Sequence, residues 1–523
     1  MKELDEHSST GPDKISARVL RRCRDALEIP ITLLARVIFN EGRWPACWRL
    51  HWVHPLYKKK SRADPGNYRG IHLTSQLSKC IERIIGCAFL PWANQVKLFG
   101  ESQYAYSTKR SHKDALAINI CNWLRFLEDG YKVGLYCSDV SGAFDRVKRE
   151  ILVGKLAYSG LNLRVVKFLA SWLEDRRSSV IVSGAQSVEA ALTDSVYQGT
   201  VLGPPLWNLF YKDAAAGVKI LKFNEVVFAD DLNCWKPFAA STPLHEISRQ
   251  NRKCQANLHE WGRANCVRFD VSKESFHVLH RIHGCGDDFL LLGILFDTGL
   301  RMHKATAVLA REAGWKLQAV LRPRRFFTRA QLFGLYKCQV LSYVESGMVA
   351  YYHAAPSLLH RIDRIQDRFL REIGVTPEES LEKHRLASLT SRRDIGMLGL
   401  LHKIVLCEAH SQLAALFPFA SPAPATPFSI SSRSRLSIRR HNRQLREIVC
   451  STDVLHRSLF AAVVVYNLLP SETVKLSSVT AFQSQLQFAL RNAARNRVAD
   501  WQYLFSPGFR LLRPAAFQSL FFA

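Results

Sequence analysis

The sequence predicts an α+β fold in which strands and helices share the first 300 residues and a long helical region follows. Two patterns support this class. Short apolar runs bounded by turn-forming residues recur between residues 52 and 296, as is typical of strands. From residue 303 to 415 apolar residues recur at helical spacing almost without a break. A large core is within reach of the chain, because 47% of its 523 residues are apolar.

The first 130 residues are predicted to form helices around one hairpin. Helical spacing covers residues 15–45, 76–97 and 112–128. Between the first two stretches, "WVHPLYKKKSRADPGNYRGIHLTS" (52–75) predicts strand, turn and strand, since the turn formers "DPGN" interrupt its apolar pattern.

The next elements bring strands close to acidic residues. "YKVGLYCSDV" (131–140) alternates apolar positions like a strand, and a helix is predicted to follow from Phe144. "EVVFADDLNCW" (225–235) predicts a hairpin whose first strand ends at Phe228. The other predicted elements are a strand at 180–182, a helix over 244–263 and short strands within 266–281 and 288–296.

Charge is the strongest global signal. There are 72 Lys and Arg residues against 45 Asp and Glu, a net charge of +27. Residues 301–523 hold 31 of the basic and 14 of the acidic residues (net +17), and residues 1–300 hold the remaining 41 and 31 (net +10). Such an excess suits a polyanionic partner, and nucleic acid is the usual one.

The cysteines and apolar runs indicate an intracellular protein, in the nucleus or cytoplasm, with no membrane partner. Thirteen cysteines are scattered without a CxxC pair, which favours free thiols in a reducing compartment. His277, His280, His283 and Cys285 are clustered, but their spacing fits no standard zinc signature. The N-terminus has no signal-peptide pattern, and the longest apolar run (459–469) is too short to span a bilayer.

Three aspartates stand at the ends of apolar strands. Asp139 follows the apolar part of one strand, and Asp230 and Asp231 stand side by side in the predicted hairpin turn. A solvent-exposed turn is the simpler interpretation of the adjacent pair taken alone. However, ionised carboxylates in apolar surroundings are costly unless they are paired or bind metal. Three such acids on neighbouring strands would instead hold two divalent cations, which stabilise the attacking and leaving oxygens of a phosphoryl transfer.

Several motifs, in order along the chain, resemble those of reverse transcriptases from non-LTR (LINE-type) retrotransposons. "GPDKISARVL" and "WVHPLYKKK" with "NYRGIHLTSQLSKCIERII" resemble the fingers blocks. "SDVSGAFDRV", "YQGTVLGPPLWNLFYKD" and "FADD" resemble the three palm motifs, and "VSKESF" and "FLLLGILFD" resemble the lysine-bearing and primer-grip motifs. The resemblance is strongest over about residues 8–300, and 303–415 resembles the family's thumb and following region.

This resemblance implies a right-hand polymerase with an antiparallel palm sheet flanked by helices and a mostly helical C-terminal region. It implies an RNA-directed DNA polymerase that extends a DNA primer on an RNA template, using dNTPs and two Mg²⁺ ions, with Mn²⁺ as a possible substitute. The implied domains are fingers with the start of the palm at 1–130, palm at 131–300, thumb and following region at 301–420, a basic Pro/Ser/Arg-rich linker at 421–443 and a helical segment without an assigned role at 444–523.

The resemblance also implies roles for single residues. Asp139, Asp230 and Asp231 would hold the metal ions, with the backbone carbonyl of Val140 as a further ligand. The implied nucleotide-binding residues are Arg69 at the triphosphate, Phe144 beneath the sugar as a steric gate, and Gln198 with Gly199 lining the pocket.

Other charged residues near these motifs have ordinary alternatives. Lys58 could join the triphosphate arginine, but the three-lysine run that it begins also fits a solvated surface. Lys273 matches a proton donor to pyrophosphate, or else is a surface lysine beside Glu274. Asp145 has the simpler interpretation of a residue that begins a helix. Gly70 is a departure, since the family more often has proline there.

Two other functions stay open from the sequence. A non-catalytic RNA-binding or maturase-like protein derived from such an element would tolerate loss of a palm aspartate, but all three are present. An RNA-dependent RNA polymerase shares the palm acids, but the bulky Phe144 disfavours ribonucleotides. Since no endonuclease motif is evident, we expect a nuclease to come from a separate protein or from a longer polyprotein.

Overall fold

The computed structural model of the chain describes residues 1–420, 441–508 and 514–522. Residues 421–440, most of the predicted linker, lie outside the described residues. The strands are β1 Leu50–Tyr57, β2 Tyr68–Leu73, β3 Lys132–Cys137, β4 Arg176–Val182, β5 Ala185–Gln186, β6 Ala190–Leu192, β7 Asn224–Phe228, β8 Asp231–Phe238, β9 Ser275–Leu279, β10 Phe289–Leu291 and β11 Ile294–Phe296.

Helices lie before, between and after these strands. Those of the first 300 residues are α1 Ala17–Arg22, α2 Arg24–Glu41, α3 Gln76–Gln95, α4 His112–Glu128, α5 Arg149–Ala157, α6 Leu163–Leu173, α7 Gly203–Tyr211, α8 Ala214–Ile220 and α9 Leu244–Ala264. The later ones are α10 His303–Leu321, α11 Arg329–Tyr336, α12 Ser342–Ser346, α13 Met348–Tyr351, α14 Pro356–Glu372, α15 Pro377–His384, α16 Leu389–Val405, α17 Ser411–Ala414, α18 Asp453–His456, α19 Leu459–Leu468, α20 Ser471–Val474, α21 Val479–Arg495 and α22 Pro514–Ser519.

The predicted α+β class is confirmed. The predicted helices at 76–97 and 112–128 are α3 and α4, and both begin at a serine whose hydroxyl accepts a backbone hydrogen bond. The predicted hairpin at 52–75 is formed by β1 and β2. The predicted helix over 15–45 is divided, because Cys23 separates α1 from α2.

Contacts divide the chain into two compact units. The first comprises Met1–Thr108, Tyr136–Trp235 and Arg249–Ser275, and the second comprises Lys109–Leu135, Lys236–Ser248 and the described part of Phe276–Ala523. The domain boundaries implied by the sequence remain a prediction.

A five-stranded sheet lies in the first unit, with the order β2–β1–β4–β5 and β6 on β4. β1 pairs antiparallel with β2 and parallel with β4, from Leu50 opposite Arg177 to Val53 opposite Val180. The buried Arg176 of β4 is linked to β1, since its guanidinium lies 2.8 Å from Nε2 of His51, and it also donates to the carbonyl of Trp48, just before β1, at 2.9 Å. A second sheet has the order β7–β8–β3–β9 and carries the acids discussed below.

Aromatic residues fill the core of each unit. In the first unit Trp44, Trp172 and Trp207 are almost fully buried. In the second unit Tyr336 stacks on Phe369 with ring centroids 4.2 Å apart. Among the described residues, no helix is both long and apolar enough to cross a bilayer.

Candidate active site

The hairpin formed by β7 and β8 carries the acidic pair. The strands pair antiparallel down to Phe228 opposite Asp231, so the turn consists of Ala229 and Asp230. The predicted position of the pair is corrected here, because Asp231 is the first residue of β8 and not a turn residue. Ala229 has a φ of 58°, the left-handed conformation that tight two-residue hairpin turns use.

Asp139 is brought beside this hairpin by the residue before it. The backbone N–H and the hydroxyl of Ser138 both donate to the carbonyl of Leu232, at 3.0 and 2.9 Å. Since Leu232 follows Asp231 on β8, the same link fixes the end of β3 and the start of β8. Val140, the predicted carbonyl ligand, is buried and forms an antiparallel bridge outside the main strands.

The pKa values of the hairpin acids reflect their crowding. Burial raises the pKa of Asp231 to about 7, assisted by the charges of Asp230 and Asp139. Burial and the charge of Asp139 also raise the pKa of Asp230, against the charges of Arg69 and Lys273. The three predicted metal-binding acids therefore act on one another electrostatically, as acids within one small site do.

Lys273 provides the countercharge. Its ammonium lies 3.2 Å from Oδ1 of Asp139 and 2.9 Å from Oδ2 of Asp270. The neighbouring Glu274 is buried and accepts hydrogen bonds from Tyr136 and Gln255, at 2.7 and 2.6 Å. Lys273 is 52% exposed, yet it is directed at the predicted metal-binding acid and not at Glu274.

Phe144 lies in an aromatic cluster next to the acids. It is only 8% exposed and stacks on Trp207, with ring centroids 5.7 Å apart and an angle of 18° between the planes. The exposed Tyr106 approaches edge-on at 6.4 Å. The charge of Asp230 contributes, after burial, to a raised pKa of Tyr106, so the cluster and the hairpin acids are neighbours.

Gln198 and Gly199 form a loop that is fixed to β2. The carbonyl of Gln198 accepts from the backbone N–H of His72 at 2.7 Å. Gly199 has a φ of 107°, and a Cβ at this position would lie 2.7 Å from the carbonyl oxygen of His72, so only glycine fits. His72 is itself held by the buried His51, with their Nδ1 atoms 3.1 Å apart.

Arg69 is exposed on β2, and its charge lowers the pKa of Asp230 against the effect of burial. The three lysines of the 58–60 run are also exposed. Lys58 acts electrostatically on Asp145, where its charge opposes the effect of burial on the carboxyl pKa. Asp145 belongs to a short 3-10 helix, Phe144–Arg146, which precedes α5.

Two residues that the sequence interpretation missed contact the acidic turn. Gln103 and Trp207 both donate side-chain hydrogen bonds to the carbonyl of Ala229, each at 3.0 Å. Gln103 lies outside the quoted motifs, and Trp207 lies within "YQGTVLGPPLWNLFYKD" but received no role, because a side-chain contact with a distant backbone leaves no local periodicity.

The donor set of the site fits divalent cations. Carboxylate oxygens are the ligands that Mg²⁺ prefers, and a cation would offset the burial and the mutual repulsion that raise the pKa values of Asp230 and Asp231. In this structure Asp139 is paired with Lys273 instead. Within the described ranges, no three His, Cys, Asp or Glu side chains are already arranged as metal ligands.

The chain is similar to known reverse transcriptases. Residues 57–277 match the family described as reverse transcriptase (RNA-dependent DNA polymerase). The RNA-directed DNA polymerase from mobile element jockey of Drosophila funebris is 23% identical over 397 residues, which cover 72% of this chain and 43% of that protein. The Drosophila melanogaster protein of the same name is 24% identical, with the same coverage of both chains.

A solved structure is a more distant match. Telomerase from Candida albicans, in complex with a fragment of telomeric RNA, is 13% identical over 66% of both chains, with a TM-score of 0.37. The chain spans less than half the length of the curated jockey proteins. The matched domain encloses the three acids, and the similar proteins belong to mobile elements. Residues 57–277 thus match the reverse transcriptase family, and the similar proteins named here are RNA-directed DNA polymerases of mobile elements.

Proposed function

We propose that the chain is an RNA-directed DNA polymerase that extends the 3′ end of a DNA primer on an RNA template with dNTPs. The observation that supports this most directly is the group of three aspartates at adjoining strand ends within the matched domain. Polymerases of this family generally use divalent metal ions. We propose two Mg²⁺ ions, replaceable by Mn²⁺, held by Asp139, Asp230, Asp231 and the carbonyl of Val140.

The ions, when bound, would neutralise charge that develops on the attacking and leaving oxygens. The chain's own residues orient the nucleotide. Arg69 is close enough to Asp230 to affect its pKa, so a triphosphate beside the acids would meet a guanidinium whose planar donors suit phosphate oxygens. In this proposal Phe144 lies under the sugar, and the Gln198–Gly199 loop lines the pocket.

A basic face on α14 supports a nucleic-acid partner. Arg361, Arg364, Arg368 and Arg371 recur at intervals of three and four residues, so they lie along one side of the helix. Three of them are exposed, and Arg368 is partly exposed. Asp363 and Glu372 of the same helix pair with arginines outside it, while the charge of Arg371 acts on Asp367. Four guanidinium groups in a row suit a phosphate backbone.

The remaining assignments follow from the same proposal. We propose fingers with the start of the palm at 1–130, palm at 131–300, and thumb with the following region at 301–420. We further propose a basic linker over 421–443 and a helical segment without an assigned role at 444–523. A separate endonuclease would cut the target, and the nucleus or cytoplasm would be the site of action.

Primer extension with purified protein tests the proposed function. The reaction is run on an RNA template with dNTPs or with ribonucleotides, for the wild type and Asp231→Asn. We expect Mg²⁺-dependent extension with dNTPs by the wild type alone, while both proteins bind template-primer. Binding without extension by the wild type would indicate the non-catalytic alternative, and preference for ribonucleotides would indicate an RNA polymerase.

A further inference from the structure

The turn that carries Asp230 is hydrogen-bonded to a side chain from a distant segment. Oε1 of Gln103 accepts from the backbone N–H of Ala229 at 2.9 Å, and its Nε2 donates to the carbonyl of the same residue at 3.0 Å. Trp207 gives that carbonyl a second donor, at 3.0 Å. One amide group therefore satisfies both backbone polar groups of Ala229, the residue immediately before the acidic pair.

The segment that supplies Gln103 is itself fixed to β7. The N–H of Val227 donates to the carbonyl of Ser102 at 2.9 Å, and the N–H of Tyr104 donates to the carbonyl of Val227 at 2.8 Å. The segment thus runs parallel to β7 along its edge, and the hydroxyl of Ser102 also donates to the buried Glu225 at 2.5 Å. Because hydrogen bonds fix the backbone on both sides of Gln103, the position of its side-chain amide relative to the hairpin is restricted.

The hydrogen bonds from the turn to Gln103 stabilise an unusual backbone conformation at Ala229. A φ of 58° lies in the left-handed region, which an alanine adopts only when its surroundings hold it there. If the two hydrogen bonds between Gln103 and Ala229 were removed, the turn could relax to a more ordinary conformation. Asp230 follows directly and Asp231 begins the return strand, so any relaxation at Ala229 changes where both carboxylates lie.

We propose that Gln103 is a positioning residue for the metal-binding acids: its amide holds Ala229 in the left-handed turn and thereby fixes Asp230 and Asp231 relative to Asp139. This inference rests on the proposed function, because it assumes that these carboxylates bind divalent cations. Residues that orient metal ligands without touching the metal typically change affinity or activity by 10–100-fold when they are replaced.

The chain contains a matched control for this residue. Gln76, at the start of α3, is 4% exposed, as is Gln103, and its Nε2 donates to the carbonyl of Ser9 at 2.6 Å. Both glutamines are thus buried and bound to backbone in the first unit. Gln103→Met and Gln76→Met remove the same amide chemistry and leave a side chain of similar length, but only the first releases the acidic turn.

The test measures Mn²⁺ binding to the full chain by electron paramagnetic resonance, without nucleic acid or nucleotide, with melting temperatures recorded in parallel. We expect Gln103→Met to weaken Mn²⁺ binding by about 10–100-fold and Gln76→Met by less than about twofold. Gln103→Asn, which keeps an amide but shortens its reach, should weaken binding in the same direction. This variant serves if Gln103→Met does not fold.

Asp231→Asn separates the two ways in which the idea can fail. If the wild type binds Mn²⁺ and Asp231→Asn does not, the metal site exists, and equal affinities for Gln103→Met and Gln76→Met would then overturn the positioning role alone. If Asp231→Asn binds Mn²⁺ as tightly as the wild type, the proposed metal site is wrong and the role of Gln103 is overturned with it.

Discussion

The ammonium of Lys273 lies between two carboxylates, 3.2 Å from Asp139 and 2.9 Å from Asp270. The backbones of these two aspartates are also joined, since the N–H of Asp270 donates to the carbonyl of Asp139 at 2.9 Å. Lys273 therefore places a positive charge beside the acidic site, although it belongs to a different segment of the chain from the three aspartates of that site. Its charge opposes the rise in the pKa values of Asp230 and Asp231.

Lys273→Met should raise the pKa of Asp231 above its value of about 7, because the variant loses a charge that lowers it. Since a carboxyl must be ionised to bind a metal ion, Mn²⁺ binding should need a higher pH in this variant. The test is to measure Mn²⁺ affinity between about pH 5.5 and 8.5, a range that brackets the pKa of Asp231. Lys273→Arg keeps the charge and should retain the wild-type midpoint; a common midpoint for all three proteins would contradict the prediction.

Asp230→Asn and Asp231→Asn should each reduce primer extension by at least about a hundredfold while template-primer binding persists, because the loss affects charge stabilisation in the transition state and not the grip on RNA. Extension rates and equilibrium binding should be measured on the same preparations. Asp145→Asn is the control, since this carboxylate lies outside the predicted ligand set. Substantial extension by either of the first two variants would disprove the ligand assignment.

The stability of the metal-free protein should fall as pH rises towards neutrality. The pKa of Asp231 is about 7 in the fold against an ordinary value of 3.8, so folding favours its protonated form. This stabilisation is fully present below the ordinary pKa and is lost as pH rises through the pKa of the folded protein. Its upper bound is about 4 kcal/mol before solvent screening. At about pH 8, roughly one unit above the pKa of Asp231 in the folded protein, Asp231→Asn should therefore be more stable than the wild type. Urea unfolding in the presence of a chelator measures the difference, and an unchanged pH dependence in the variant would count against it.

Phe144→Val should increase the use of ribonucleotides relative to dNTPs by about tenfold or more, if the ring fills the space of a 2′-hydroxyl. The same ring stacks on Trp207 and is nearly buried, so the variant should also lose some stability. Phe210→Val is the matched control, because this buried ring also contacts Trp207, with centroids 6.0 Å apart. Incorporation efficiencies for both sugars decide the matter: a ratio that changes equally in both variants would assign Phe144 to packing alone.

Replacing Arg361, Arg364, Arg368 and Arg371 by Gln should weaken RNA binding and make it less dependent on salt. Each phosphate contact on single-stranded nucleic acid contributes roughly 0.7 to the slope of log affinity against log salt, so the slope should become shallower by up to about 3. The control removes four exposed arginines from the first unit and so has the same net charge: Arg18, Arg22, Arg36 and Arg164. Equal slopes for the two variants would mean that the α14 face has no special part in binding.

Most regular elements could be predicted from sequence because their signals are local. α3, for example, combines a serine cap with apolar residues at helical spacing. β5 and β6 were not predicted, since they are only two and three residues long and are largely exposed. They are strands only because they pair with β4, which is a tertiary property.

Some residues of the candidate site could likewise be predicted from the sequence, and others could not. Asp139 and the hairpin acids were predictable because polar residues at the ends of apolar strands stand out in the sequence. The exact turn was not, since Ala229 carries no sign of the left-handed conformation that shifts Asp231 into β8. Gln103 could not be found at all, because its partner lies 126 residues away and is a backbone group.

The parallel pairing of β1 with β4 constrains the order in which the protein can fold as it is synthesised. Leu50 lies opposite Arg177, so β1 leaves the ribosome well over a hundred residues before its second partner exists. At typical synthesis rates this delay lasts on the order of ten seconds, during which β1 can pair only with β2. Throughout that interval the other edge of β1 offers unpaired backbone groups to any neighbouring nascent chain. We therefore expect the yield of folded protein to rise when this edge of β1 is shielded until β4 has emerged.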